Sequence, residues 1–424
     1  MGLSRAIPPY IKVYLSPRIA FTMLLGFFSG LPLGLTGVML QAWMAKEGLD
    51  LHTIGVFSLV GAPYLLKFLW SPFMDRFVPP WLGRRRGWIV LVQLALLAGI
   101  TGLGLSSPVH ALAVFALLAL FVAFSSASQD IVIDAYRTDL LREEERGAGA
   151  AVATTASRIG ALVSGGLGLI LADRLGWRNT YLLMAGLMVI GVAGTLFAPE
   201  PDTKVQAPRN MHEAVWGPFK DFFSRHGAVT LLVAVIFYKL GDAYAESLSS
   251  VFLLRGLHFS LTEVGEINKI LGTVATITGA TLGGSLMVRL GLFRSLLSFG
   301  ALQLVSILSF MALALVGKSY PLMAFAVTFE KFCGGMGTAA FVALLMTLCN
   351  KRFTATQYAL FSSLAAIGRV FFSSFSGYIV ELVGWADFFL FAAVAALPGL
   401  FLIYFLKRDI TEMTGSARAT ARRA

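Results

Sequence analysis

Twelve apolar runs of membrane-spanning length organise this chain, at about 19–43, 53–74, 87–105, 109–136, 147–173 and 179–198, then 228–253, 262–288, 295–316, 321–349, 358–380 and 386–406. A bilayer core is crossed by roughly 20 apolar residues in a helix. Without water to satisfy backbone polar groups, such a run has few other options. At 57% hydrophobic and 13% charged over 424 residues, the chain carries more apolar surface than a soluble core of this length hides. The runs are punctuated by turn-forming or charged stretches such as Ser106-Ser107-Pro108, Pro199-Glu200-Pro201-Asp202 and Gly317-Lys318-Ser319. The first run follows Arg5, Lys12 and Arg18, is too long for a signal-peptide core and lacks a small-residue cleavage site, so it reads as the first span. The expected fold class is an all-α polytopic membrane protein with 12 transmembrane helices.

The net charge of +11 could point to nucleic acid, but its distribution argues otherwise. With the N-terminus placed inside, the inner segments hold 23 Lys and Arg residues and the outer loops 5: Lys46, Arg174, Arg178, Arg255 and Lys318. That asymmetry predicts cytoplasmic termini, with loops facing anionic lipid rather than nucleic acid. Cys333 and Cys349, sixteen residues apart in one run, are separated by roughly 24 Å of helix, too far to bridge.

An internal repeat divides the chain. Lys46 to Gly55 is echoed by Arg255 to Gly265, Arg158 with Ser164-Gly165 by Arg369 with Ser376-Gly377, and Gly176-Trp177 by Gly384-Trp385. Near-constant offsets imply two parallel six-helix halves, the arrangement of carriers that rock about a central site. The expected organisation is an N-terminal half at 1–198, a cytoplasmic linker at 199–227, a C-terminal half at 228–406 and a basic, disordered tail at 407–424. Within the linker, Met211 to Phe223 mixes aromatics with charges and reads either as a short helix on the inner leaflet or as a plain connection.

Acids within membrane runs are expensive and face a partner or a watery cavity. Asp130 and Asp134 sit one helical turn apart on one face, with Arg137 a turn beyond. Two like charges this close resist ionising together, so one can hold a proton, as a proton-coupled carrier requires. A structural lock on Arg137 is the other reading. Lys67, Arg158, Lys239, Glu330 and Arg369 fall near the middle of their runs. Lys239, Asp242 and Glu246 share a helix face. Asp242, Glu246 and Glu330 join Asp130 and Asp134 as candidate proton carriers. The intramembrane cations read either as ligand contacts or as structural ion pairs. Gly160, Ser164, Gly165 and Gly168 suit close helix packing or a hinge.

Asp75-Arg76, separated by six residues from Gly83-Arg84-Arg85-Arg86, resembles the loop between helices 2 and 3 of the major facilitator superfamily, with a longer spacing. The resemblance implies two pseudo-symmetric halves in the major facilitator fold. It also implies a cytoplasmic latch drawn from Asp75, Arg76, Arg84, Arg85 and Arg86, to which Arg137 is added as a neighbour. More narrowly, Gly26 to Leu33, Leu40-Gln41-Ala42-Trp43-Met44, Lys67 to Pro72, Ser126 to Asp130, Tyr238 to Ala243 and Cys333 to Thr338 are similar to the AmpG-type muropeptide permeases of Gram-negative bacteria. This implies proton-driven import of N-acetylglucosaminyl-1,6-anhydro-N-acetylmuramyl peptides across the inner membrane for cell-wall recycling, linked in some hosts to β-lactamase induction.

For such a substrate, Lys67 and Arg158 are candidate partners of carboxylates, and Lys239 and Arg369 are further candidate substrate contacts. Gln41, Trp43, Tyr64, Gln129, Tyr238 and Asn268 are candidates for sugar and amide groups, with core packing the alternative for the aromatics. The expected partners are the muropeptide, protons and the lipid bilayer, and the protein is expected to act as a monomer. A carrier of another small polar anion or peptide, a membrane enzyme and a non-transporting sensor are the competing classes. No phosphate-binding glycine loop is present, and the five histidines are scattered, so no cofactor or metal is expected.

Overall fold

The computed structural model describes residues 8–201, 205–267 and 271–421. In chain order its first half comprises α1 (Pro17–Lys46), α2 (His52–Leu69, continued by Ser71–Arg76), α3 (Arg86–Leu105), α4 (Leu112–Leu140), α5 (Glu143–Leu175) and α6 (Trp177–Phe197). Its second half comprises α7 (Ala228–Gly256), α8 (described as Leu261–Glu266 and Gly272–Leu290), α9 (Leu292–Val316), α10 (Tyr320–Leu348), α11 (Thr354–Ser373, continued by 376–383) and α12 (385–405). Among the described residues, ten stretches are long and apolar enough to cross a membrane. The two remaining runs coincide with α8 and α11, so the element order agrees with twelve spans.

The repeat is visible in the backbone. Gly176 between α5 and α6 has φ 79°, and Gly384 between α11 and α12 has φ 81°. Glycine takes this conformation without the clash a side chain brings, so both halves reverse direction at the same point of the repeat.

Small residues let the helices approach closely. A Cβ on Gly30 would lie 1.8 Å from the Ser157 carbonyl oxygen, and one on Gly160 would lie 2.1 Å from that of Phe27, fixing α1 against α5. A Cβ on Gly279 would lie 2.0 Å from the Phe332 carbonyl oxygen, fixing α8 against α10. Across the halves, a Cβ on Gly284 of α8 would lie 2.8 Å from the Gly147 carbonyl oxygen of α5.

Three spans are irregular where they carry charge. α2 contains a 3₁₀ turn at Lys67–Leu69, α5 a π turn at Val163–Leu167 just beyond Arg158, and α7 breaks at Lys239, whose φ is −102°. Interrupted helices free backbone groups and redirect side chains toward an interior site.

The connecting segment forms a helix, Met211–Phe223, capped by Asn210, whose side chain accepts from the Glu213 amide at 2.8 Å. Its buried stripe of Ala214, Pro218 and Phe222 faces the start of α11, with the Phe222 and Phe361 ring centroids 5.0 Å apart. Trp216 and Phe223 remain exposed. The tail is not disordered over its described length: Lys407–Ala421 is helical. Leu406 and Ile410, one turn apart, are 3% and 0% exposed in a core shared with Phe222 and α10, which gives this polar stretch an apolar edge to fold on.

Candidate functional site

A cavity of about 290 Å³ lies between the halves. Asp134 of α4 and Arg158 of α5 line one side. Lys239, Asp242 and Glu246 of α7, Glu330 and Lys331 of α10, and Arg369 of α11 line the other. Thr276, Thr338, Tyr358 and Ser362 add hydroxyls, and Phe341, Val342 and Leu345 supply an apolar wall.

Most of these charges are paired. The break in α7 leaves Lys239 one turn from Asp242, and its Nζ is 2.9 Å from Asp242 Oδ2. Lys331 Nζ lies 2.9 Å from Glu246 Oε1 and 3.4 Å from Glu330 Oε2. Arg158 and Arg369 are exposed and form no ion pair among the described residues. They occupy equivalent positions in the repeat and border the same cavity from opposite halves. Two unpaired guanidiniums, offering planar sets of donors, suit carboxylates.

The floor of the cavity joins the halves. Asp134 Oδ1 is 2.7 Å from Arg137 Nη2, which also donates to the Tyr358 hydroxyl oxygen at 2.7 Å. Lys67, buried at 8% exposure, approaches Asp134 Oδ2 at 3.7 Å and does not reach the cavity.

Beyond this floor lies a buried polar network. Asp75, 0% exposed, accepts from Arg84 Nη2 at 2.8 Å and Arg85 Nη1 at 3.2 Å. It also accepts from the Ala355 amide at 3.3 Å, the Thr356 amide at 2.8 Å and the Thr356 hydroxyl at 2.8 Å. An acid of α2 thus serves the free amides at the N-terminus of α11, where negative charge is favoured. Arg85 Nε also binds Asp139 at 2.7 Å, and Asp139 accepts from the Thr354 hydroxyl at 2.6 Å. Arg84 donates to the carbonyls of Lys351 and Arg352 at 3.2 and 2.6 Å. On another flank Tyr14 donates to the Thr281 carbonyl of α8 at 2.7 Å. These contacts, with the Gly147–Gly284 approach, close one end of the bundle between the halves.

Arg76 and Arg86 lie outside the network. Arg76 sits over the Phe77 ring at 5.5 Å. Arg86 donates to the carbonyls of Thr195 and Leu196 at the end of α6, within its own half. The longer spacing after Asp75 therefore brings Arg84 and Arg85 to the inter-half contact.

Several residues expected at the site are elsewhere. Gln41 is exposed outside the cavity. Trp43 is 5% exposed in an aromatic cluster, 5.2 Å from Phe115 and 5.7 Å from Trp177 by ring centroids. Tyr64 packs against the same core. Gln129, 0% exposed, donates to the Phe28 carbonyl at 2.7 Å. Asp130 accepts from Ser29 at 2.5 Å and does not line the cavity. Tyr238 donates to the Leu296 carbonyl at 3.0 Å and stacks on Phe341, so it supports the cavity wall from behind. Asn268 lies outside the described residues. For these buried groups, helix periodicity does not tell a face turned toward the cavity from one turned toward a neighbouring helix. Lys331 and Tyr358 line the cavity but are not among the residues expected at the site. The signal for Lys331 was its place beside Glu330 in an apolar run, whereas Tyr358 at the start of a run carried none.

The Major Facilitator Superfamily profile matches residues 22–317. The chain is 52% identical over 402 residues to the anhydromuropeptide permease of Escherichia coli K12, covering 95% of this chain and 82% of that protein. It is 33% identical over 409 residues to a Rickettsia conorii protein named as the transporter AmpG 4, covering 94% and 99%. Among solved structures, the superfamily transporter FucP in its outward conformation aligns with a TM-score of 0.71 at 13% identity, covering 93% of this chain and 99% of that one. The human organic anion transporter MFSD10 aligns with a TM-score of 0.68 at 18% identity, covering 94% and 100%. This chain belongs to the major facilitator superfamily and, within it, to the AmpG-type permeases.

Proposed function

We propose that this multi-pass membrane transporter imports N-acetylglucosaminyl-1,6-anhydro-N-acetylmuramyl peptides from periplasm to cytoplasm, across the bacterial inner membrane and driven by protons. The observation that carries the reading is the 52% identity, over 95% of the chain, to a permease named for anhydromuropeptides. The cavity chemistry agrees with it. Unpaired Arg158 and Arg369 can receive peptide carboxylates, the hydroxyls of Thr276, Thr338 and Ser362 can meet sugar and amide groups, and Phe341 offers a surface for a pyranose face.

The same geometry supports alternating access. The end closed by Asp75, Arg84, Arg85 and Asp139 is taken as the cytoplasmic end, with both termini on that side, so the cavity described here is the outward-facing one. To release substrate inward, the halves must rock and α11 must leave Asp75. The coupling acid is drawn from the carboxylates beside the cavity, and the transporter works as a monomer. Asp75, Arg84, Arg85 and Arg137 form the latch.

Purified protein in liposomes tests this directly. Labelled anhydromuropeptide should accumulate intact above its external concentration when the exterior is acidified, and the accumulation should collapse with a protonophore. Uptake indifferent to the proton gradient would remove the coupling, and hydrolysis in place of accumulation would remove the carrier.

A further inference from the structure

Lys331 is held by two acids of very different standing. Glu330, its neighbour on α10, has a side chain only 8% exposed, whereas that of Glu246 on α7 is 58% exposed. Yet the exposed acid is the closer, at 2.9 Å against 3.4 Å. Breaking the two contacts has unequal consequences. Removing the cation from Glu330 strands a buried carboxylate, which is strongly destabilising. Removing it from Glu246 leaves a carboxylate that is more than half exposed to water, at the small loss typical of an exposed ion pair. One partner is therefore fixed and the other exchangeable.

We propose that the Glu246 carboxylate is a built-in placeholder for a substrate carboxylate, and that Lys331 is the cation that changes hands when substrate enters. This rests on the reading above that the substrate bears peptide carboxylates. Lys331 borders the same cavity as Arg158 and Arg369. Lys239 is not a second such cation, because its partner Asp242 is 16% exposed and held at 2.9 Å within one helix. An incoming carboxylate displaces Glu246 and completes a set of three cations drawn from α5, α10 and α11. Glu330 keeps the ammonium in place during the exchange. The placeholder also discriminates: a neutral sugar cannot displace it, so entry to this subsite is reserved for anions.

The test is equilibrium binding to the full-length purified protein by titration calorimetry. The probes are N-acetylglucosaminyl-1,6-anhydro-N-acetylmuramyl tripeptide and its carboxyl-amidated form. Glu246→Gln should tighten binding of the acid form by roughly two- to fivefold, the value of an exposed ion pair, and leave the amide form unchanged. Lys331→Gln should weaken the acid form by at least about tenfold. In that background Glu246→Gln should give no gain, a non-additivity that a general change in cavity charge does not produce. If Lys331→Gln fails to fold, Glu330→Gln/Lys331→Gln removes the buried acid with its cation and carries the same comparison. The proposal is overturned if Glu246→Gln leaves binding equal or weaker, or if its gain persists without Lys331. If neither probe binds the unaltered protein, the substrate reading fails and this inference fails with it.

Discussion

Asp75 and Thr356 meet across the two halves through two hydrogen bonds of 2.8 Å each, from the Thr356 amide and from its hydroxyl to the same carboxylate oxygen. Both partners are buried, Asp75 fully and Thr356 at 3% exposure. The acid supplies charge to Arg84 and Arg85 and an acceptor to the N-terminus of α11, so one residue binds three separate groups.

Asp75→Asn should loosen that end. The amide keeps one acceptor but removes the charge that two guanidiniums and a helix terminus share, and losing one partner of a buried ionic network typically costs about 3–5 kcal/mol. The measurement is alkylation of Ala355→Cys in a background lacking Cys333 and Cys349. Ala355 is 0% exposed, so the cysteine should be protected with Asp75 present and labelled at least about tenfold faster with Asn there. Equal labelling would show that this contact does not hold the end closed.

Arg158→Gln should reduce muropeptide uptake by about tenfold or more while the protein still reaches the membrane folded, because an unpaired cavity cation is removed without stranding an acid. Arg158→Lys should recover only part of the loss, since a point charge does not reproduce a planar fork. Arg369, its counterpart in the repeat, should behave in the same way. Unchanged kinetics in either would remove that arginine from the site.

The distribution of Lys and Arg predicts cytoplasmic termini, as the proposed direction of import requires. A reporter fused after Ala424 that works only in the cytoplasm should therefore be active, and one that works only in the periplasm silent. The opposite pattern would invert the topology and, with it, the direction of import.

The helical spans, the repeat and the pairing of some intramembrane charges were legible because each rests on spacing along one chain. Lys239 with Asp242 is such a case, one turn apart. The linker helix was legible only as an alternative, since its stripe of Ala214, Pro218 and Phe222 acquires meaning from the start of α11. The tail helix was missed because Leu406 and Ile410 are few among polar neighbours, and burial against α9 and α10 decides the outcome. The cavity lining was only partly legible. Arg158, Lys239, Asp242, Glu246, Glu330 and Arg369 line it, but Gln129 and Asp130 on α4 turn toward α1, to Phe28 and Ser29. Which neighbour a helix face meets is set by tertiary packing that one sequence does not display.

That last difference bears on coupling. Asp130 and Asp134 share a face, and either could hold a proton by spacing alone. In the structure Asp130 lies behind the cavity wall on Ser29, and Asp134 is held by Arg137 at 2.7 Å and Lys67 at 3.7 Å. Glu330 lines the cavity, is nearly buried, and shares Lys331 with Glu246. A coupling acid must change protonation between the two access states, and a nearly buried acid that meets the cavity and shares its counter-ion with a second acid can do so. Glutamine keeps the shape of Glu330 but fixes it as neutral. Glu330→Gln should therefore abolish accumulation of anhydromuropeptide against a gradient, while downhill exchange between preloaded liposomes and medium continues within about threefold of the unaltered rate. Asp134→Asn should weaken both modes together, because it removes the link through Arg137 to Tyr358 rather than a proton site. Asp130→Asn should retain accumulation. If instead Asp130→Asn loses accumulation and Glu330→Gln keeps it, the coupling proton belongs to α4, and α1 with its Ser29 becomes the element that senses it.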